Sequence, residues 1–182
     1  DDVERYQTVF ATQPGSAAAP TAGLHFTPSL LRTIAERGIK KAEVTLHVGI
    51  DTFRPISTDK IEDHEMHSEW CTVSEGTAMA VHETQQRHGR VVAVGTTAVR
   101  SLETAAHSGV AESYSGATSL YIRPGYSFRV VDGMLTNFHM PRTTLLVLVS
   151  EFAGHEFIQR AYKEAMGNGY RFLSYGDAML IL

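Results

Sequence analysis

The chain has 182 residues, which predicts one domain or one large domain with an appendage and is enough to bury a core without disulfide or metal support. Its formal net charge of −4 argues against nucleic-acid binding through bulk positive charge, so any nucleic-acid site must be local. A single cysteine excludes an internal disulfide framework and a multi-cysteine zinc site, and no apolar run is long enough to span a membrane.

The first quarter of the chain predicts a strand, a loop and a helix. Residues 6–11 have strand character, and residues 21–26 follow proline and glycine punctuation typical of a loop. Thr27 and Pro28 predict a helix start, because threonine accepts hydrogen bonds from free N–H groups and proline loses none at the first helical position. The chain begins at Asp1 without an initiator methionine or a leader-like segment, from which we expect a processed protein or a piece of a longer one.

The middle of the chain alternates strands with helices. We predict strands over residues 42–48, 66–73 and 91–94, and helices over residues 74–88 and 98–107. Farther on we predict strands over 119–123 and 127–131 around a Pro-Gly turn, helices over 141–152 and 156–166, and a last strand over 170–174 or 178–182. This alternation indicates an α/β fold, a mixed α+β sheet with flanking helices, in a single domain over residues 1–182.

The segment 94–103 (VGTTAVRSLE) places Gly95, Thr96 and Thr97 between a buried strand and a helix. Backbone N–H groups, hydroxyls and the positive end of a helix dipole then point to one spot, which suits a carboxylate or phosphate. Arg100 could add a bidentate clamp. The alternative is that Thr96 or Thr97 only caps the helix. No G-x-G-x-x-G fingerprint follows any strand, so an ordinary dinucleotide pocket is not supported.

A second cluster contains His47, His67 and Glu69 near predicted strand ends. Imidazole and carboxylate groups are the usual parts of general acid–base catalysis, and the two histidines are the first candidates. A metal site from His64, His67 and Glu69 is the competing interpretation. An i,i+3 pair on a strand faces opposite ways and no H-E-x-x-H is present, so we expect no metal.

Arginines are interleaved with aromatic residues between residues 121 and 142. This stretch has three basic residues, Arg123, Arg129 and Arg142, and one acidic residue, Asp132. Aromatic faces stack on unpaired bases while guanidinium groups hold phosphates, which favours single-stranded RNA; a hairpin core with solvated arginines is the alternative. Asp177, in a C-terminal turn, either orients a ligand hydroxyl or satisfies backbone N–H groups of the turn.

Taken together, nine segments resemble, in order, the S-adenosylmethionine:tRNA ribosyltransferase-isomerases of queuosine biosynthesis. They are 6–10 (YQTVF), 19–26 (APTAGLHF), 44–49 (VTLHVG), 52–55 (TFRP), 64–69 (HEMHSE), 94–103 (VGTTAVRSLE), 124–126 (PGY), 136–141 (TNFHMP) and 174–180 (SYGDAML). The resemblance covers nearly the whole chain but only the C-terminal portion of the family protein, whose inserted β-barrel domain lies outside it. Ile50 and Asp51 depart from the small pair usual in the family.

The resemblance implies transfer of the ribosyl portion of S-adenosylmethionine to 7-aminomethyl-7-deazaguanine at the tRNA wobble position, giving epoxyqueuosine and releasing adenine and methionine. S-adenosylmethionine is then a co-substrate, and no true cofactor is expected. The implied partner is a tRNA anticodon stem-loop, and we expect a cytoplasmic monomer without membrane contact. The alternatives are an RNA-binding fragment that is inactive alone and another S-adenosylmethionine-dependent transferase.

Our hypothesis for the site makes His47 or His67 the base or proton shuttle, with Glu69 as its orienting group. Thr96, Thr97 and Arg100 would anchor the donor. The other predicted substrate-binding residues are His25, Arg54, Gly95, Tyr126, Asn137, His139 and Asp177, of which Asn137 and His139 would contact the acceptor base or ribose.

Overall fold

The computed structural model describes residues 5–49 and 54–182, and its architecture is mixed α/β, as predicted. In this part of the chain the helices are α1 (Pro28–Glu36), α2 (Glu75–Gln86), α3 (Thr96–Ala105), α4 (Thr144–Ala153) and α5 (His155–Gly167). The strands are β1 (Val44–His47), β2 (Glu69–Val73), β3 (Val92–Val94), β4 (Tyr114–Thr118), β5 (Gly133–Asn137) and β6 (Ala178–Ile181). Two 3-10 turns, Thr21–His25 and Ile61–Asp63, complete the described elements.

The strands form two three-stranded sheets. The first has the order β1-β2-β4 and is antiparallel, with Leu46 opposite Cys71 and His47 opposite Trp70. The second has the order β3-β5-β6, in which β3 runs parallel to β5 and β6 runs antiparallel to it. Because β3 and β5 are parallel, their carboxyl ends open onto the same edge of the second sheet.

Helix α3 contacts strands of both sheets and lies at the centre of the molecule. It buries most of its length, including the side chains of Val99 and Leu102. Residues of the second sheet, of the loops beside it and of the C-terminal helices pack into the same core: Ala93, Ile122, Val130, Met134, Leu148, Val149 and Ile158. Burial of this apolar surface fixes the start of α3 against the ends of β3 and β5.

Helix ends with local sequence determinants lie close to their predicted positions. Thr27 Oγ1 accepts from the Leu30 N–H at 3.1 Å, and Ser74 Oγ accepts from the Thr77 N–H at 3.1 Å. Gly154 separates α4 from α5 with a φ of 91°, in the left-handed region that favours glycine. The predictions of α1, α2, α4 and α5 are therefore confirmed.

The predicted hairpin over 119–123 and 127–131 is wrong. The observed strands lie on either side of it, as β4 and β5. The carboxylate of Glu103 accepts from the backbone N–H groups of Arg129, Val130 and Val131 at 3.0 to 3.2 Å, which removes the donors that a strand ladder would use.

Two N-terminal predictions also differ from the structure. Residues 6–11 form bends and turns instead of a strand, with the Ala11 N–H bonded to the Thr8 carbonyl at 3.3 Å. The predicted loop over 21–26 contains the first 3-10 turn. Of the two options for the last strand, the structure shows β6. Ile50 and Asp51 lie outside the described residues.

Candidate functional site

A cleft of about 180 Å³ opens where β3 and β5 end. Gly95, Thr96 and Thr97 form one wall, and residues 136–140, at the end of β5 and just after it, form another. The first 3-10 turn contributes Thr21 and Ala22, and Val48, which follows β1, reaches the same space. The structure thus brings five of the predicted site residues to one cavity: Gly95, Thr96, Thr97, Asn137 and His139.

The wall at the start of α3 is built from backbone amides. Gly95 is the N-cap residue with a φ of 89°, and no side chain caps this helix. The alternative that Thr96 or Thr97 serves as the cap is therefore wrong. The Ala98 and Val99 N–H groups bond to the Gly95 carbonyl at 3.1 and 3.3 Å. The Gly95 N–H donates to the Leu135 carbonyl at 2.8 Å, so the Thr96 and Thr97 amides are the ones left to meet an anion, and the helix dipole favours negative charge there.

Alanine at Gly95 is expected to destabilise the protein by about 1–2 kcal/mol, because an L residue is strained at this positive φ. Gly76 in α2 is a matched control, since it has ordinary helical backbone and a Cβ there would meet only Ser74 Oγ, at 3.9 Å. Gly76→Ala is expected to stabilise the protein by about 0.5–1 kcal/mol. Urea unfolding of both variants checks this, and equal effects would contradict it.

Two neighbouring residues at the end of β5 each hold a histidine. Thr136 Oγ1 lies 2.9 Å from His139 Nε2, and Asn137 Nδ2 lies 3.3 Å from His25 Nε2. Thr136 and Asn137 are almost completely buried, at 1% and 2% exposed. The two imidazoles are therefore attached to a rigid strand end beside the cleft.

His139 is held in its neutral form. Burial lowers its pKa to about 4, because the low-polarity surroundings disfavour the imidazolium. Its backbone N–H donates to the Tyr162 hydroxyl at 2.8 Å, which ties the segment after β5 to α5. Near neutral pH, His139 can exchange hydrogen bonds with a ligand but carries no charge.

Acidification is expected to weaken the fold through His139. The unfolded chain takes up a proton near the usual pKa of 6.5 while the folded chain does so only near 4. The free energy of unfolding therefore does not depend on the protonation of His139 above pH 6.5. It falls by about 3 kcal/mol in total as the pH is lowered from 6.5 to 4. Urea unfolding at pH 7 and pH 4.5 should show a smaller loss in His139→Gln. The same loss in both proteins would contradict the assignment.

His47 and Glu69 lie on opposite faces of the first sheet. His47 shares its face with Trp70, its cross-strand partner, whereas Glu69 shares the other face with Cys71. Glu69 therefore does not orient His47, which corrects that part of our hypothesis, whereas the pairing of Glu69 with His67 stays a prediction. A Cβ on Gly15 would lie 3.1 Å from His47 Nδ1, so the loop after residue 10 passes close to this ring.

His67 is exposed in the segment before β2. Its ring centroid lies 6.5 Å from that of His64, whose ring is in turn 5.7 Å from that of Tyr121. Neither His47 nor His67 is among the residues that line the cleft.

Glu69 and Arg100 form a buried ion pair, each 4% exposed. Glu69 also accepts from the Gly49 N–H at 2.9 Å, and Arg100 Nε donates to the Leu120 carbonyl at 3.2 Å. The Arg100 guanidinium is thus directed into the protein and does not line the cleft. Its predicted role as a clamp on the donor is replaced by a structural one.

The remaining predicted residues lie outside the cleft lining. Tyr126 donates its hydroxyl to Glu103 at 3.0 Å, and its pKa is raised by burial and by that carboxylate. Asp177 accepts from the Arg171 N–H at 2.7 Å, which lowers its pKa and agrees with the turn interpretation. Arg54 is exposed and directly follows residues 50–53, which are not described.

Sequence reasoning missed Thr21 and Thr136, whose hydroxyls bond to Asn137 and His139. Both lie within the quoted motifs, so hydroxyl residues inside those motifs were the available signal. In the ranges 5–49 and 54–182, no group of three or more metal-ligating side chains is positioned to hold an ion. No helix in these ranges has the length and hydropathy needed to cross a bilayer.

Comparison with known proteins shows which enzymes this chain is similar to. The S-adenosylmethionine:tRNA ribosyltransferase-isomerase of Heliobacterium modesticaldum is 56% identical over 183 residues, which is 100% of this chain and 53% of the relative. That of Thermotoga petrophila is 54% identical over 180 residues, or 99% of this chain and 54% of the relative. The chain spans about half the length of the curated relatives it matches.

A solved structure has the same fold. The crystal structure of S-adenosylmethionine tRNA ribosyltransferase from Thermotoga maritima superposes with a TM-score of 0.74 at 46% identity, covering 89% of this chain and 51% of that one. The family described as "Queuosine biosynthesis protein" matches residues 1–181. The chain therefore belongs to the queuosine biosynthesis protein family.

Proposed function

We propose that the complete protein carrying this chain transfers the ribosyl portion of S-adenosylmethionine to 7-aminomethyl-7-deazaguanine at the wobble position of tRNA. The product is epoxyqueuosine, and adenine and methionine leave. Family membership supports the proposal, because the relatives above are named for S-adenosylmethionine and tRNA. As tRNA modification takes place in the cytoplasm, we expect the protein to act there.

The observation that carries the proposal is the uncapped start of α3 in the cleft. The methionine part of the donor ends in a carboxylate, and free amides at a helix N-terminus are suited to bind it. Thr96 and Thr97 add hydroxyls beside those amides, and both line the cavity. We therefore keep these two residues as the donor anchor. We assign Arg100 a structural role, which is to hold α3 in place through its ion pair with Glu69.

The reaction requires removal of an acidic proton beside the sulfonium, and of the two predicted histidines we now place His47 first as the base. It directly precedes Val48, which lines the cleft. His67 is the second candidate. The measurement is turnover of tRNA by His47→Ala and His67→Ala in the complete enzyme. If both variants stay folded and keep near-wild-type turnover, neither histidine is the base.

The segment around Tyr121 is our candidate contact for unpaired RNA. The Arg123 guanidinium lies 5.7 Å from the Tyr121 ring centroid, and its Nη1 donates to the Glu62 carbonyl at 2.9 Å. An aromatic ring can stack on an unpaired base of an anticodon loop, and a neighbouring guanidinium can hold a phosphate group. Tyr121→Ala should weaken tRNA binding without changing the affinity for S-adenosylmethionine.

Product analysis tests the function directly. Incubation of the complete enzyme with S-adenosylmethionine and substrate tRNA should release free adenine and methionine, whereas S-adenosylhomocysteine would indicate methyl transfer and reject the proposal. The second candidate, an RNA-binding unit that is inactive alone, is favoured by the partial coverage of the relatives. A tRNA-binding assay of the 182-residue chain beside the activity assay, at several salt concentrations, separates the two.

A further inference from the structure

Three side chains beside the cleft form one chain of hydrogen bonds. Thr21 Oγ1 donates to Asn137 Oδ1 at 3.0 Å, and Asn137 Nδ2 lies 3.3 Å from His25 Nε2. Asn137 is 2% exposed, and its backbone pairs with Ala178 of β6, so the amide has little freedom to move. Thr21 and Asn137 line the cavity, and His25 is bonded to Asn137, next to that lining.

This arrangement selects one tautomer of His25. In the structure the amide oxygen of Asn137 accepts from the Thr21 hydroxyl, and its NH₂ group faces His25. An amide NH₂ only donates, so His25 Nε2 must accept, and the proton of the neutral ring is then on Nδ1. In the described part of the chain, His25 Nδ1 has no hydrogen-bond partner of its own.

The same arrangement opposes a role for His25 as a base. Its accepting atom, Nε2, is already engaged by the Asn137 NH₂ group and is not free to receive a proton from a ligand. Asp177 is the charged group that interacts with His25 electrostatically, and its carboxylate is already bound by the Arg171 N–H and guanidinium at 2.7 and 3.3 Å. The Nδ1–H group therefore remains available to a ligand.

We propose that His25 is a fixed hydrogen-bond donor to an oxygen atom of the bound substrate, and that Thr21 and Asn137 are positioning residues that set its tautomer. The identity of the substrate rests on the proposed function, whereas the tautomer does not. Asn137, which sequence reasoning assigned to the acceptor base or ribose, acts here through His25.

The tautomer is measured by ¹⁵N NMR of the complete enzyme labelled at histidine, above pH 8 and without substrate. We expect the His25 proton on Nδ1 in the wild type and in Thr21→Ser, which keeps the hydroxyl. Thr21→Val frees the amide to rotate and should give a mixture of tautomers. A wild-type proton on Nε2 overturns the proposal whether or not the enzyme has the proposed activity.

The pH profile of Asn137→Asp separates a donor from a base. A carboxylate at this position accepts a hydrogen bond from Nε2–H, so the neutral ring of His25 carries its proton on Nε2 and has none on Nδ1. Only the imidazolium form then has an Nδ1–H group to donate. If His25 is a donor, activity of this variant should fall about tenfold as pH rises from 6 to 9, compared with the wild type over the same range. Activity that instead rises with pH would identify a base at Nδ1 and overturn the proposal.

Discussion

Replacing Glu103 with alanine is expected to lower the free energy of unfolding by about 4 kcal/mol. The side chain is 1% exposed and accepts from the Tyr126 hydroxyl and from the backbone N–H groups of Arg129, Val130 and Val131. Without the carboxylate these donors have no acceptor in the buried site, and each costs about 1–3 kcal/mol unless water enters.

Tyr126→Phe is the matched control for Glu103→Ala. It removes one of the hydrogen bonds to the carboxylate and keeps the ring packed on Phe128, whose centroid is 5.2 Å away. We expect a loss of about 1 kcal/mol, measured by urea unfolding monitored by circular dichroism. A Glu103→Ala loss no larger than that of Tyr126→Phe would show that the carboxylate does not organise this segment.

Separating the buried pair of Glu69 and Arg100 is expected to cost about 3–5 kcal/mol, because either single variant removes the counterion that a buried charge has in this pair. In Arg100→Met the Glu69 carboxylate loses its buried counterion and keeps the Gly49 N–H as a donor. Since Gly49 follows Val48, which lines the cleft, we also expect the single variants to weaken S-adenosylmethionine binding in the complete enzyme.

Two controls make the result for this pair interpretable. Arg171→Ala removes the ion pair with Asp177, in which the arginine side chain is 74% exposed, and should cost less than about 1 kcal/mol. The double variant Glu69→Leu with Arg100→Met should recover much of the lost stability, because apolar replacement of a buried pair is often neutral. A double variant that loses the sum of the single effects would contradict this account.

The helices were predictable because their determinants are local. Thr27 and Ser74 cap helices from the adjacent position, and Gly154 interrupts the chain where a positive φ is required. The start of α3 was misplaced because Gly95, a residue without a capping side chain, occupies the N-cap.

Strands were less predictable because their partners are distant in sequence. Residues 127–131 have strand character, but a carboxylate on α3 takes their N–H groups, and β5 forms only because β3 and β6 lie on either side of it. The site shows the same division. Glu69 is a plausible partner for a nearby histidine in sequence, yet the alternation of side chains on β2 turns it toward Arg100.

From the sequence alone followed the fold class, the helix boundaries with local caps and the motifs that resemble the queuosine family, since these depend on residues next to one another. Tertiary structure alone decided which motifs line the same cavity and which charged side chains are buried as ion pairs in the protein interior. Those outcomes depend on contacts such as Thr21 with Asn137 and Glu69 with Arg100, separated by 116 and 31 positions, which no local pattern encodes.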